Sequence, residues 1–348
     1  MGRVAVFRWL ILIAGASLFV VLIRATGVDT VARDLARLGP AFLPYILLTG
    51  VENAFHTLGT RWCFSRRHRA AVSFWHLFLI FQAGQAFNTI TPSAEIGGEV
   101  ARGLVLERYV PGSEAASVVI INKFTFSIAR MLAAAVLTAW TVLVFPLGRL
   151  EVWILGTGAA LITMGLFGFA VFQARGMFGA VLTRLARLAG APAEAWARAH
   201  VGPLDERLRS YYRQQGRDAV IAILWDLAGF AVGILQRSYM ISVLTWGTAG
   251  GAEVSLLRGT AVWAIMTLAD MVFFVVTGGI GVLEMAHKLA FEAVGLPGSQ
   301  GIAFSLAVRL NQLVWVLVGL AAYWVEVAAG PKRRAAARRE GGGRPSSA

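Results

Sequence analysis

The chain has 348 residues, 57% of them hydrophobic and 15% charged, against roughly 25% charged in ordinary soluble domains. This balance excludes a soluble globular class and points to a membrane protein, and a single cysteine, Cys63, excludes an internal disulfide framework and a four-cysteine zinc site. The whole net charge of +13 is carried by residues 61–71, residues 173–218 and the tail from Lys332 to Ala348.

Those basic stretches flank apolar runs and lack interleaved aromatics or a nucleic-acid-binding fold, so they read as positive-inside loops rather than as a nucleic-acid surface. A helix needs about 20 apolar residues to cross the hydrocarbon. Eight candidate runs lie near 7–23, 41–60, 72–90, 117–145, 152–172, 219–246, 259–278 and 302–325. The first follows Arg3 and Arg8 without an A-x-A cleavage site, so it reads as a retained anchor. If all eight crossed, residues 173–218 would face away from the other two basic stretches, against the charge rule.

Two runs are each followed by a turn signal and an amphipathic stretch too short to cross: Ile96 to Leu106 after "TPS", and Leu283 to Val294 after "TGG". Reading 72–106 and 259–294 as re-entrant hairpins leaves six full spans and puts both termini, 61–71 and 173–218 on the cytoplasmic side. The expected fold is an all-α polytopic membrane protein whose halves, about 41–145 and 219–325, form an inverted repeat joined by a cytoplasmic linker at 173–218. Residues 1–328 form the membrane domain and 329–348 a basic, disordered tail. The basic segments 176–190 and 204–215 are expected to lie on the anionic leaflet.

Non-helical backbone at membrane depth must be buried in protein or line a cavity, because lipid cannot satisfy its N–H and C=O groups. The first turn, "TPSAEIGGEV", therefore places Pro92, Glu95, Gly97, Gly98 and Glu99 at a candidate binding site, with Arg102 one turn beyond Glu99. Amides at the start of the returning helix attract an anion such as phosphate. Gln82, Gln85 and Asn88 form a polar stripe leading there, suited equally to helix–helix hydrogen bonding and to cavity lining. Glu52 and His56 share a face, but without further ligands they make no metal site.

Ionisable groups inside spans each cost about 2.5–3.5 kcal/mol at a helix centre on insertion scales, so they mark pairing or function. Lys123 and Arg130 share a face, Asp226 and Arg237 lie three turns apart, and Asp270 and Arg309 sit mid-run. "PSAEIGGEV" aligns loosely with "TGGIGVLEM", pairing Glu99 with Glu284, and Lys123 and Arg309 follow at similar distances. A GxxxG from Gly229 to Gly233 reads as a helix-packing surface. P-loop, H-E-x-x-H and G-x-S-x-G signatures are missing, so no enzyme and no cofactor is expected.

"FNTITPSAEIGGEVARGLVLER" resembles the first signature of the flippase-like membrane family that includes the transmembrane half of lysylphosphatidylglycerol synthases. "GGIGVLEMAHKLAFEAVGLPGSQGIAFSLAVRL" resembles its second, and the spelling of the first is especially similar to hopanoid-associated members. The resemblance implies an inner-membrane protein that moves a phospholipid, glycolipid or isoprenoid lipid between leaflets. It singles out Asn88, Pro92, Gly97, Gly98, Glu99, Arg102, Gly279, Gly281, Glu284 and Arg309. The synthases' aminoacyl-transferase domain is missing from the sequence, and "INKFTFSIAR" stands where many relatives have an acid–arginine pair, which bears on Lys123. The rival expectations are an integral-membrane lipid-modifying enzyme and a non-transporting scaffold for lipid-synthesis enzymes.

Overall fold

The computed structural model describes residues 39–91, 96–174, 210–245, 252–273 and 282–328, with isolated positions at 184, 187 and 190; at 96, 169–174, 252–253, 272–273, 282–284, 299 and 328 it describes backbone alone. The described residues are all-helical apart from turns: α1 (Phe42–Trp62), α2 (Phe74–Ile90), α3 (Ile96–Leu106), α4 (Gly112–Val144), α5 (Arg149–Ala174), α6 (Gly216–Leu244), α7 (Ala252–Phe273), α8 (Val282–Ala293) and α9 (Gly298–Ala328).

Local chemistry sets several ends. Ser73 caps α2, its hydroxyl oxygen accepting from the His76 amide, and Thr91 leaves the helix in an extended conformation because Pro92 follows. Phe145 ends α4 in the same way before Pro146. At the end of α8, Gly295 adopts φ 74°, and the Leu296 amide donates to the Phe291 carbonyl at 2.9 Å, a Schellman-type reversal.

Among the described residues, five helical stretches are long and apolar enough to cross a membrane: Gly112–Val144, Arg149–Gly168, Gly216–Leu244, Val254–Met271 and Gln300–Val327. The chain is a multi-pass membrane protein. The expected span at 7–23 lies outside the described residues. Two details differ from the sequence expectations. Helix α7 begins at Ala252, seven residues before the expected run at 259–278, continuing through Glu253 and Arg258, and its stretch Val254–Met271 is long and apolar enough to cross. Helix α1 falls short in hydropathy because it carries Asn53, His56, Thr57 and Thr60, all buried against protein rather than exposed to lipid.

The order long helix, helix, short helix, long helix occurs twice, as α1–α4 and α6–α9, with lengths of 21, 17, 11 and 33 residues against 29, 22, 12 and 31. Helices α1 and α6 run antiparallel along each other. Tyr239 donates to the Ala41 carbonyl at one end, Gln236 donates to the Tyr45 carbonyl, His56 meets Asp226 midway, and Tyr211 donates to the Trp62 carbonyl at the other end. Lipid tails are as apolar as leucine, so close backbone approach rather than burial holds such helices together. The expected packing glycines do this: a Cβ on Gly229 would lie 2.6 Å from the His56 ring, and one on Gly233 2.7 Å from Glu52.

Two large cores each draw on both halves. One gathers the end of α1, α2, α3, the starts of α4 and α6 and the end of α9, including Phe64, Leu77, Phe87, Leu106, Val118, Ala222 and Tyr323. The other gathers the start of α1, the end of α6, α7, α8 and the start of α9, including Phe42, Tyr45, Met240, Val262, Phe291 and Phe304. Helix α2 packs along α9 as α7 packs along α4. Helix α5 lies outside both cores and exposes Trp153, Ile154, Leu161, Met164 and Phe167.

The basic loop after α1 is tied down rather than free. Arg69 and Arg66 reach Asp218 at 2.7 and 3.4 Å, and the Ser65 amide donates to Glu114 at 2.8 Å. The short helical stretch 210–214 also belongs to this end, with Tyr211 buried in the first core. In the described part of 204–215, Tyr211 packs on protein while Arg213 and Gln214 are exposed; residues 176–183 lie outside the described residues.

Candidate functional site

The start of α2 and the end of α3 meet at one end of the molecule. Buried Glu326 of α9 accepts from the His76 ring of α2 at 2.7 Å and from the hydroxyl of Tyr109, just past α3, and Arg108 donates to the Val327 carbonyl at 3.0 Å. At their far ends the two helices close on each other, where the Gly98 amide donates to Asn88 Oδ1 at 2.7 Å. Gly98 sits where a Cβ would collide with the Gly84 carbonyl oxygen and with Asn88, so only glycine allows this contact.

Beside this junction lies a cavity of ≈ 220 Å³ lined by Phe81, Gln85, Asn88 and Thr89 of α2, Glu99 and Arg102 of α3, and Asn122, Lys123, Phe126 and Arg130 of α4. Glu99 stands between two bases, 3.5 Å from Lys123 Nζ and 3.5 Å from Arg102 Nη1. Arg102 is nearly buried; it donates to Gln85 Oε1 at 3.0 Å and lies over the Phe81 ring, 4.3 Å from its centroid. Arg130 reaches Asp270 of α7 at 3.1 Å. Among the described residues, three bases thus face one acid inside the cavity, and a second acid, Asp270, meets Arg130. Arg102 Nε and Asn122 Nδ2 are buried donors without a hydrogen-bond partner among the described residues. Such a pocket suits an anion that accepts several hydrogen bonds, because guanidinium and ammonium groups hold phosphate oxygens strongly.

Of the residues expected at the site, the structure brings Asn88, Glu99, Arg102 and Lys123 to the cavity wall and puts Gly97 and Gly98 at its edge in the first turn of α3. Asp270 reaches it only through Arg130. Arg309 is buried in α9 and does not line it. Glu284 lies on α8 with its side chain outside the described residues, and Pro92, Glu95, Gly279 and Gly281 are outside them altogether. Asn122, Phe81, Phe126 and Thr89 were not expected there; only the α4 face shared by Lys123 and Arg130 hinted at Asn122 and Phe126. The polar stripe of α2 divides, Gln85 and Asn88 lining the cavity while Gln82 accepts from Asn53 of α1 at 3.1 Å.

His56 lies deeper. Its Nδ1 is 2.9 Å from Asp226 Oδ1 and its Nε2 3.9 Å from Glu52, while the rings of Phe81, Phe126 and Phe230 surround it. Among the described residues no group of three or more histidine, cysteine or acidic side chains is placed to hold a metal ion.

A family model for the lysylphosphatidylglycerol synthase TM region matches residues 5–320. A UPF0104 membrane protein of Methanothermobacter thermautotrophicus is 27% identical over 336 residues, a match covering 90% of this chain and 94% of the relative. No solved structure matches the chain. With a match over nearly its whole length, the chain belongs to the family of the lysylphosphatidylglycerol synthase transmembrane region.

Proposed function

We propose that the protein moves a phosphate-bearing lipid between leaflets of a bacterial inner membrane, holding the headgroup in the cavity between α2, α3 and α4. The carrying observation is the convergence of Arg102, Lys123 and Arg130 on one cavity whose described wall holds one carboxylate, Glu99, in a chain of apolar helices. Bases outnumber carboxylates along the described cavity wall, which supports an anionic phospholipid or polyprenyl phosphate over an uncharged hopanoid headgroup among the lipid classes considered.

On this reading α2–α3 and α7–α8 are re-entrant hairpins of an inverted repeat. The joining of His76, Tyr109 and Glu326 supports it, because it puts the base of α2 and the base of α3 at the same end of α9. A helix of 11 residues spans only about 16 Å, far less than the roughly 30 Å hydrocarbon core. The antiparallel seam of α1 and α6 supports two halves running in opposite senses, the arrangement of many secondary transporters. The basic loop at 61–71, joined to Asp218 at the start of α6, and the tail after α9 fall together on the cytoplasmic side.

The test is reconstitution into vesicles carrying phosphatidylglycerol labelled with a dithionite-quenchable dye. Transport predicts loss of nearly all the signal with the lipid mass unchanged, whereas protein-free vesicles lose only the outer half. A changed mass would make the protein an enzyme, and quenching that stops at half would remove the transport reading.

A further inference from the structure

We propose that His56 and Asp226 form a proton-binding site that couples lipid movement to a proton gradient, one proton travelling with each anionic headgroup; this rests on the transport reading above. His56 is 3% and Asp226 0% exposed, and they lie in the seam between the first helices of the two halves. Asp226 Oδ1 takes the imidazole, but Oδ2 has no hydrogen-bond partner among the described residues. A carboxylate oxygen buried without a partner costs free energy that a proton on the pair relieves. Ionisable groups held at membrane depth are the material of proton relays.

Facing the imidazole are Glu52 from α1, Asp226 from α6, and uncharged rings from α2, α4 and α6; Cys63 lies beyond Gly59, which abuts Asp226. The connection to the cavity is direct. Phe81 and Phe126 line the cavity and also pack on His56, with ring centroids 6.2 and 5.0 Å apart, so one layer of aromatic side chains separates the two sites. Phe81 carries the Arg102 guanidinium as well. An anion seated on Arg102 offsets that positive field across a low-dielectric layer, so anion binding and proton uptake favour each other, as linkage requires. The proton comes from cavity water, resides on the His56–Asp226 pair and leaves to water on the other side; no other bond is made or broken.

The experiment uses full-length protein in vesicles holding labelled phosphatidylglycerol, with and without an alkaline lumen one pH unit above the outside. Coupling of one proton per lipid predicts enrichment of up to about tenfold in the inner leaflet, abolished by a protonophore. Equal leaflets with and without the gradient overturn the coupling and leave transport standing, and no movement at all overturns both. Enrichment in the outer leaflet overturns co-transport. Asp226→Asn, checked as monodisperse, is expected to lose the enrichment; its persistence overturns the assignment to this pair. If neither Asp226→Asn nor His56→Gln folds, infrared difference spectra of the wild type decide. A protonated-carboxyl or imidazolium band on adding phosphatidylglycerol supports the site, and a spectrum unchanged in both regions overturns it.

Discussion

Asn88 and Gly98 join the far ends of α2 and α3 by a 2.7 Å hydrogen bond from the Gly98 amide to Asn88 Oδ1. The bond ties two parts of the cavity wall together, since Asn88 is in that wall and Gly98 directly precedes Glu99. Asn88→Ala leaves a buried amide without its partner and is expected to cost about 1–3 kcal/mol. Gly98→Ala forces a methyl against the Gly84 carbonyl, a backbone obstacle that cannot rotate away, and is expected to cost of the order of 1–3 kcal/mol. Thermal unfolding in detergent checks both, with Gly103→Ala, which meets nothing within 4 Å, as the neutral control.

Within the cavity, the charges are predicted to act unequally. Arg102→Lys loses the bond to Gln85 and the planar stack on Phe81 while keeping the charge, and should slow lipid movement about tenfold or more, because the two bases are not interchangeable at a stacked site. Lys123→Ala removes a point charge and should slow movement several-fold. Glu99→Gln removes the competing carboxylate and should tighten binding of anionic lipid a few-fold, which a lipid-binding titration measures directly.

Asp218 holds the basic loop to the start of α6 through Arg69 at 2.7 Å and Arg66 at 3.4 Å. Asp218→Asn is expected to lower stability by about 1–3 kcal/mol, because Asp218 is buried and the Arg69 contact is charge-assisted. Arg66, 68% exposed, should contribute little, so Arg66→Ala is predicted to stay near wild type in thermal unfolding.

Cys63, just past α1, is inert for a physical reason: burial pushes its thiol from 9.0 up to about 12. At pH 8 the thiolate fraction is on the order of one in ten thousand, so a soluble thiol reagent should label the protein only after denaturation. The sign of the linkage follows. The folded thiol holds its proton more tightly than the unfolded one, so its contribution is whole below about pH 9 and is lost as pH rises toward 12. Labelling monitored by mass checks this.

Periodicity and turn chemistry made the elements legible. Proline after Thr91 and Phe145 ended helices where expected, and the paired glycines marked the reversal that the Asn88–Gly98 bond closes. The shared faces of Lys123 with Arg130 and of Glu52 with His56 followed from helical spacing alone. Partnerships across the fold were not legible. Spacing related Asp226 only to Arg237, three turns along its own helix, whereas it pairs with His56, 170 positions away, because antiparallel packing of α1 on α6 brings them level. Arg237 instead donates to the Gly233 carbonyl. Lys123 likewise meets an acid of another helix, Glu99 of α3.

The most direct test of the central claim is photo-cross-linking with phosphatidylglycerol that carries the reactive group on its head, followed by peptide mapping. The account predicts adducts on the α2 peptide containing Phe81–Thr89 and the α4 peptide containing Asn122–Arg130, competed away by unlabelled phosphatidylglycerol and lost in Arg102→Lys. Adducts confined to the lipid-facing side of α5, unchanged by competitor, would contradict it.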